Sequence, residues 1–231
     1  MTKIAIVTGG SRGFGRAITA ALVERTWAVV IDGRDADAVE AAAGDLGAVG
    51  IAGDVTEAAH RERLIDEARR AGGLDLLVNN ASLLGPSPLP ALADHPLDSL
   101  RDVLETNVVA PLALVQSALP QLRERRGAIV NVTSDAAVEG YEGWGGYGSS
   151  KAALEQWSHV LSVEEPDVAT WWVDPGDMRT EMHQAAFLGE DISDRPLPEA
   201  VVPAFIELLV TRPPSGRVVL RNLVPVGGAP G

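Results

Sequence analysis

The chain has 231 residues, 46% of them hydrophobic, and a formal net charge of -13, which suits a single core of ordinary size and a surface that repels phosphate backbones and anionic membranes. It has no cysteine, and its four histidines (His60, His95, His159 and His183) lack the HxxH or HExxH spacing of a metal site, so disulfides and thiolate sites are excluded and no metal is expected. No signal-peptide pattern opens the chain and no apolar run approaches the ~20 residues that cross a bilayer, so a cytoplasmic protein without nucleic-acid or membrane partners is expected.

The first apolar run, residues 4–8, reads as a strand and leads through TGGSRGFG (residues 8–15) into a helix predicted over residues 14–24. Further strands are predicted at 28–31, 48–52, 74–79, 128–132, 170–174 and 217–220, with amphipathic stretches between them. Runs such as IAIV and LDLLV are apolar at successive positions, as in strands buried on both faces of a parallel sheet. The pattern predicts a doubly wound α/β fold of Rossmann type, with residues 1–231 as one domain. Two stretches break the alternation, 82–96 and 177–198. Each follows a predicted strand, so each is expected at the carboxyl edge of the sheet, where ligands bind in such folds.

Gly9, Gly13 and Gly15 let backbone N–H groups and a helix N-terminus approach a phosphate, and a dinucleotide is the natural occupant. After the second strand stand Asp32 and Arg34. An acid there grips the adenosine ribose, whereas an arginine accommodates a 2′-phosphate. Arg12 offers a second guanidinium, so NADP(H) is favoured, with NAD(H) left open by Asp32.

Tyr147 and Lys151 share one helix face if a helix has begun by Tyr147. A phenol is a poor base near neutrality, but an adjacent cation favours its ionised form. Such a tyrosine can pass a proton to an oxygen whose carbon receives hydride, or take it back. Ser134, after the strand at 128–132, stands at the same sheet edge and offers a hydroxyl to a substrate oxygen. Within the helical run 100–122, Pro111 has no N–H for the Asn107 carbonyl, which predicts a kink and a carbonyl free to hold a water toward Lys151.

These pieces together resemble the short-chain dehydrogenases/reductases, in the branch that consists of one nucleotide-binding domain. The resemblance rests on TGGSRGFG, Asp54-Val55, Asn79-Asn80-Ala81, Asn107, Ser134, YxxxK at Tyr147 and Lys151, and PGDMRT at 175–180. Ser134 follows Asn107 by 27 positions and precedes Tyr147 by 13, both usual in that family. The resemblance implies a tetrad of Asn107, Ser134, Tyr147 and Lys151, with Tyr147 as acid/base, Ser134 on the substrate oxygen, and both Tyr147 and Lys151 also among the cofactor contacts, Lys151 on the nicotinamide ribose. It implies cofactor contacts from Gly9, Ser11, Arg12, Gly13, Phe14 and Gly15, and from Asp54, Val55, Asn79 and Ala81. Pro175, Gly176 and Thr180 are implied beside the nicotinamide. The C-terminal segment departs from the family's usual VDGG-like ending.

The implied activity is hydride transfer between a nicotinamide and a carbonyl or alcohol, with NADPH-linked ketone reduction favoured. Reduction of a C=N or activated C=C bond, or a dinucleotide-binding regulator without turnover, are the alternatives. Leu83, Leu84, Trp144, Met178, Met182, Phe187 and Leu188 predict an apolar substrate pocket, and Glu139, Glu142, Asp177 and Glu181 favour a neutral or cationic ketone. Leu154, Trp157 and Leu161 form a stripe that is either a dimer face or core, and a homodimer or higher homo-oligomer is expected.

Overall fold

A computed structural model, described over residues 2–223, gathers the apolar runs into one seven-stranded parallel sheet. Its strands are β1 (Ile4–Val7), β2 (Ala28–Gly33), β3 (Val49–Ala52), β4 (Leu76–Asn79), β5 (Ala128–Val132), β6 (Ala169–Asp174) and β7 (Gly216–Val219), in the order β3-β2-β1-β4-β5-β6-β7. The chain therefore winds outward in opposite directions from the β1/β4 pair, and the loops that part there open a crevice at the carboxyl ends. Side chains alternate between two cores. Ala5 and Val7 join the cluster beneath α1 (Gly13–Glu24) and α8 (Pro198–Thr211), whereas Ile4 and Ile6 join the one beneath α3 (Ala58–Ala71) and α5 (Ala110–Arg125). Both faces of the central strands are thus dry, which explains their unbroken apolar sequence. The remaining helices are α2 (Ala36–Leu46), α4 (Leu97–Leu104), α6 (Gly145–Glu164) and α7 (Glu181–Ala186).

The kink predicted at Pro111 takes a different form. Between α4 and α5 the chain makes a π-helical turn, Glu105–Val109, closed by the Ala110 N–H on the Glu105 carbonyl, and Pro111 falls in the first turn of α5. At that position the missing N–H has little to lose, because the widened turn has already reset the ladder. The turn also carries Asn107 inward, where it is buried.

The expectation that no segment is long and apolar enough to cross a membrane is corrected here: the continuous run Leu97–Arg125 is so by length and composition. Its charges gather toward the two ends, while Leu114, Val115, Ala118 and Leu122 pack into the core beside Leu64 and Ile65. A helix lying under a sheet needs the same apolar composition.

Leu154 and Leu161 are buried and Trp157 packs with Leu161 on the core beneath α3 and α5, so this stripe of α6 faces the protein's own interior. Val160 and Val163 are the large apolar side chains that α6 exposes. The glycine- and proline-rich tail from 224 onward lies outside the described residues.

Candidate active site

Above the β1/β4 parting lies a cleft of about 950 Å³, within the range of cofactor sites. The glycine loop floors one end. Gly9 has φ +63, and a Cβ on Gly15 would stand 2.4 Å from the Gly9 carbonyl oxygen, so the loop closes to this radius only without side chains. No side chain caps the start of α1, whose first residues, Gly13 and Phe14, line the cleft. Its first N–H groups are thus left for an anion. This cradle fits a dinucleotide diphosphate. Gly15 itself does not line the cleft and supports the turn from behind.

At the adenosine end, Asp32 proves to be a structural acid. It is fully buried, accepting the Gly9 N–H (2.7 Å) on one oxygen and bonding His60 Nε2 (2.9 Å) on the other. Asp32 borders the cleft, but both its oxygens are already engaged there, because β2 runs two residues beyond the predicted end and keeps it inside the sheet. Arg34 lines the cleft with no hydrogen bond or ion pair to another described residue. Arg12 is exposed and bridges Asp35 and Glu181 across the entrance; exposed pairs of this kind are weak enough to yield to a stronger anion. Asp54 and Val55 line the same end. Burial opposes the charge of Asp54, but bonds from the Thr56 N–H and hydroxyl and the field of Arg34 outweigh it and hold the carboxyl below its ordinary range.

Asn79 does not reach the cleft. It donates to Asn131 (2.8 Å) inside the sheet, as its position opposite Asn131 in the β4–β5 register requires. Its neighbours Asn80 and Ala81 line the cleft instead, with Asn80 Nδ2 donating to the carbonyls of Thr8 and Gly9. Strand alternation separates the two asparagines: one points into the layers and the next leaves the strand at its tip.

The reacting end brings together most of the predicted set. The helix α6 begins two residues before Tyr147, so Tyr147 and Lys151 are indeed a turn apart, with Lys151 Nζ 5.4 Å from the phenol ring centroid. Gly148 allows this helix to sit tightly on the loop after β5, since a Cβ there would lie 2.5 Å from the Ala136 carbonyl oxygen. Lys151 is buried and donates to the Val132 carbonyl at 2.8 Å. Ser134 lines the cleft, but its hydroxyl donates to Asp135 (2.9 Å) while its oxygen accepts the Ala136 N–H. Asn107 does not line the cleft. Its side chain holds the loop after β4, accepting the Leu83 N–H (2.7 Å) and donating to the Leu83 carbonyl and to Ser150.

One expectation reverses. Burial raises the Tyr147 phenol above its ordinary value, against a bond with Ser82 that lowers it, and the carboxylates of Asp135 and Asp174 raise it further. Burial also lowers the Lys151 ammonium to about 7. The dry site disfavours charge on both groups, and the ammonium lies over the phenol ring rather than at its oxygen. In this state Tyr147 keeps its proton, which is the form able to donate one.

Pro175, Gly176, Met178 and Thr180 line the opposite wall. Thr180 caps α7 by accepting the His183 N–H. Leu83, Leu84, Trp144, Met182 and Phe187 line the cleft as expected, whereas Leu188 faces out. Of the predicted acids, Asp177 and Glu181 line it and Glu139 and Glu142 do not; Asp135 and Tyr141, hydrogen-bonded to each other (3.1 Å), are additions. Asn80 lies within a motif already noted, and Ser82 and Asp135 each adjoin a motif residue, which is the signal the sequence offers for them.

Comparison with known proteins agrees with this geometry. The profile described as short chain dehydrogenase matches residues 3–191. The chain belongs to that family. A serine 3-dehydrogenase from Rhizobium radiobacter is 35% identical over 187 residues, spanning 78% of this chain and 74% of that protein. An L-fucose dehydrogenase from Rattus norvegicus is 34% identical over 186 residues, spanning 79% and 68%. Among solved structures, a short chain dehydrogenase from Shigella flexneri complexed with NADP superposes with a TM-score of 0.86 at 25% identity, covering 95% of this chain and 97% of that one. The protein is thus a short-chain dehydrogenase/reductase oxidoreductase with a Rossmann-type sheet.

Proposed function

We propose that this short-chain dehydrogenase is an NADPH-linked reductase of neutral or cationic ketones, in which Tyr147 donates the proton that accompanies hydride transfer. The observation that carries the reading is the buried Tyr147 phenol, raised by its surroundings and standing in the cleft beside Lys151 and Ser134. Bound NADPH supplies the hydride. Arg34, with Arg12 released from its exposed pairs, would hold the 2′-phosphate. The glycine loop would hold the diphosphate, Asp54 and Val55 the adenine side, Lys151 the nicotinamide ribose, and Pro175, Gly176 and Thr180 the nicotinamide side. The cofactor of the Shigella structure supports this choice.

Ser134 would meet the substrate oxygen after turning its hydroxyl from Asp135, and Tyr147 would then donate to that oxygen. Lys151 stabilises the tyrosine after the proton has left. Asn107 acts as a positioning residue through Leu83 and Ser150. Asp135, Asp177 and Glu181 line the substrate end, where Arg12 and Arg195 offset Glu181 and Asp177 in part, and the acidity that remains would disfavour carboxylate and phosphate substrates. A cytoplasmic homodimer belongs to the same reading, with exposed Val160 and Val163 of α6 as its supporting surface.

The test is a screen of carbonyl and alcohol compounds with both nicotinamides, followed by absorbance of the reduced cofactor. Ketone-dependent oxidation of NADPH is expected. Tight NADPH binding with no carbonyl consumed would instead favour a dinucleotide-binding regulator, and product analysis showing a reduced C=N or C=C bond would move the reaction class.

A further inference from the structure

Beneath the substrate wall lies a group of charges that the scheme above does not use. Arg217, in β7 opposite Trp172, extends its guanidinium along the sheet toward the catalytic edge. Its Nε donates to Glu155 of α6 (3.0 Å), and its Nη2 donates to Asp174 at the end of β6 (3.1 Å) and to the Ser134 carbonyl (3.2 Å). Glu155 also accepts the Thr133 hydroxyl (2.8 Å), and the second oxygen of Asp174 accepts the Gly176 N–H (2.9 Å). Side-chain exposure is 25% for Arg217, 13% for Glu155 and 5% for Asp174.

One cation between two largely buried acids is a poor device for stability, because the loss of hydration offsets most of the attraction. It is a good device for geometry. The planar guanidinium fixes the directions of its donors, and here they meet acceptors from three places: the end of β5, α6 and the end of β6. Ser134 and Gly176 follow the adjacent strands β5 and β6, whose ladder ends with the Thr133 N–H on the Val173 carbonyl (2.8 Å), and beyond it no hydrogen bond among the described residues joins the two directly. Arg217 and Asp174 make that link.

We propose that Arg217 is a positioning residue of the active site: it ties the Ser134 peptide, through Asp174, to the turn at Gly176, with Glu155 holding the guanidinium in place. The proposal rests on the reductase reading above. A second consequence is electrostatic. Tyr147 is faced by Asp135 from the loop after β5, by Asp174 from β6, by Lys151 from its own helix and by Ser82 from the loop after β4. Arg217 is the counter-ion of Asp174. Without it, the uncompensated carboxylate makes Tyr147 hold its proton more firmly.

The experiment uses NADPH and the neutral ketone that the screen ranks first, with the corresponding alcohol for the reverse reaction. Arg217→Lys keeps the charge and loses the fork; it is expected to fold, to lower kcat about 10- to 100-fold and to leave the NADPH Kd within about threefold. In Arg217→Met the rising limb of alcohol oxidation against pH is expected to be displaced to higher pH, and adding Asp174→Asn is expected to bring it back. Should Arg217→Met not fold, Glu155→Gln/Asp174→Asn/Arg217→Met, which leaves no charge unpaired, is read instead, with a kcat as low as that of Arg217→Lys expected. Wild-type kcat in Arg217→Lys or in the triple variant, or an unmoved pH profile in Arg217→Met, overturns the proposal alone. A wild-type enzyme that reduces no carbonyl removes both it and the reading beneath it.

Discussion

Tyr147 and Lys151 are buried within one helical turn of each other, and burial is the dominant influence on both. For Tyr147 the proposed role is proton donation alone, so Tyr147→Phe should lower the rate of ketone reduction about 100- to 10,000-fold while an NADPH titration by fluorescence gives an unchanged Kd. For Lys151 the consequence is a pH-dependent stability. Its folded value of about 7 lies below the unfolded one, so between the two the unfolded chain binds a proton that the fold refuses. This contribution is complete above the unfolded value and is lost as pH falls toward 7, with a slope of up to about 1.4 kcal/mol per pH unit. Urea unfolding of the cofactor-free protein from pH 7 to 9 should show the rise, and Lys151→Met should remove it. At the other end of the cleft, Arg34→Ala should raise the Kd of NADPH far more than that of NADH; equal changes would remove the argument for a 2′-phosphate contact.

Between residues and the whole stand the turns that deliver them. The π-helical turn Glu105–Val109 sets Asn107 facing Leu83 and Ser150 rather than the cleft. Asn107→Leu leaves the Leu83 peptide without its partners, and urea denaturation should show a loss of about 2–4 kcal/mol, accompanied by weaker substrate binding. The sequence made the disturbance legible through Pro111, since a missing N–H must alter the ladder. It did not disclose that the disturbance would be an extra-wide turn, because a kink and a π-turn both satisfy the same absent donor. Asn79 and Asn80 illustrate a second limit. Adjacent residues at a strand tip differ in direction by the pleat, and a boundary uncertain by one or two positions exchanges the buried one for the one that lines the cleft.

Across the molecule, strand runs apolar on successive residues made the parallel, doubly wound sheet readable. The observed strand ends fall within about two residues of those expected, the ordinary uncertainty of element boundaries. What could not be read was the joining of distant segments: Arg217 meeting Asp174, Glu155 and Ser134 depends on which strand lies beside β6, and spacing along the chain does not contain that. The net charge of -13 gains a local meaning from Asp135, Asp177 and Glu181 at the cleft. A cationic ketone should therefore lose kcat/KM as salt rises, a carboxylate-bearing analogue should gain it, and the reverse order would show that the cleft field does not select substrate. The most direct measurement of the central claim is single-turnover reduction of the best ketone by pre-bound NADPH from pH 6 to 9, in wild type and Tyr147→Phe. The account predicts a wild-type rate that falls as pH rises through the Lys151 value of about 7, where the departing proton loses its stabilising cation although Tyr147 itself stays protonated, and a rate lost at every pH in the variant. A variant as fast as wild type would contradict it.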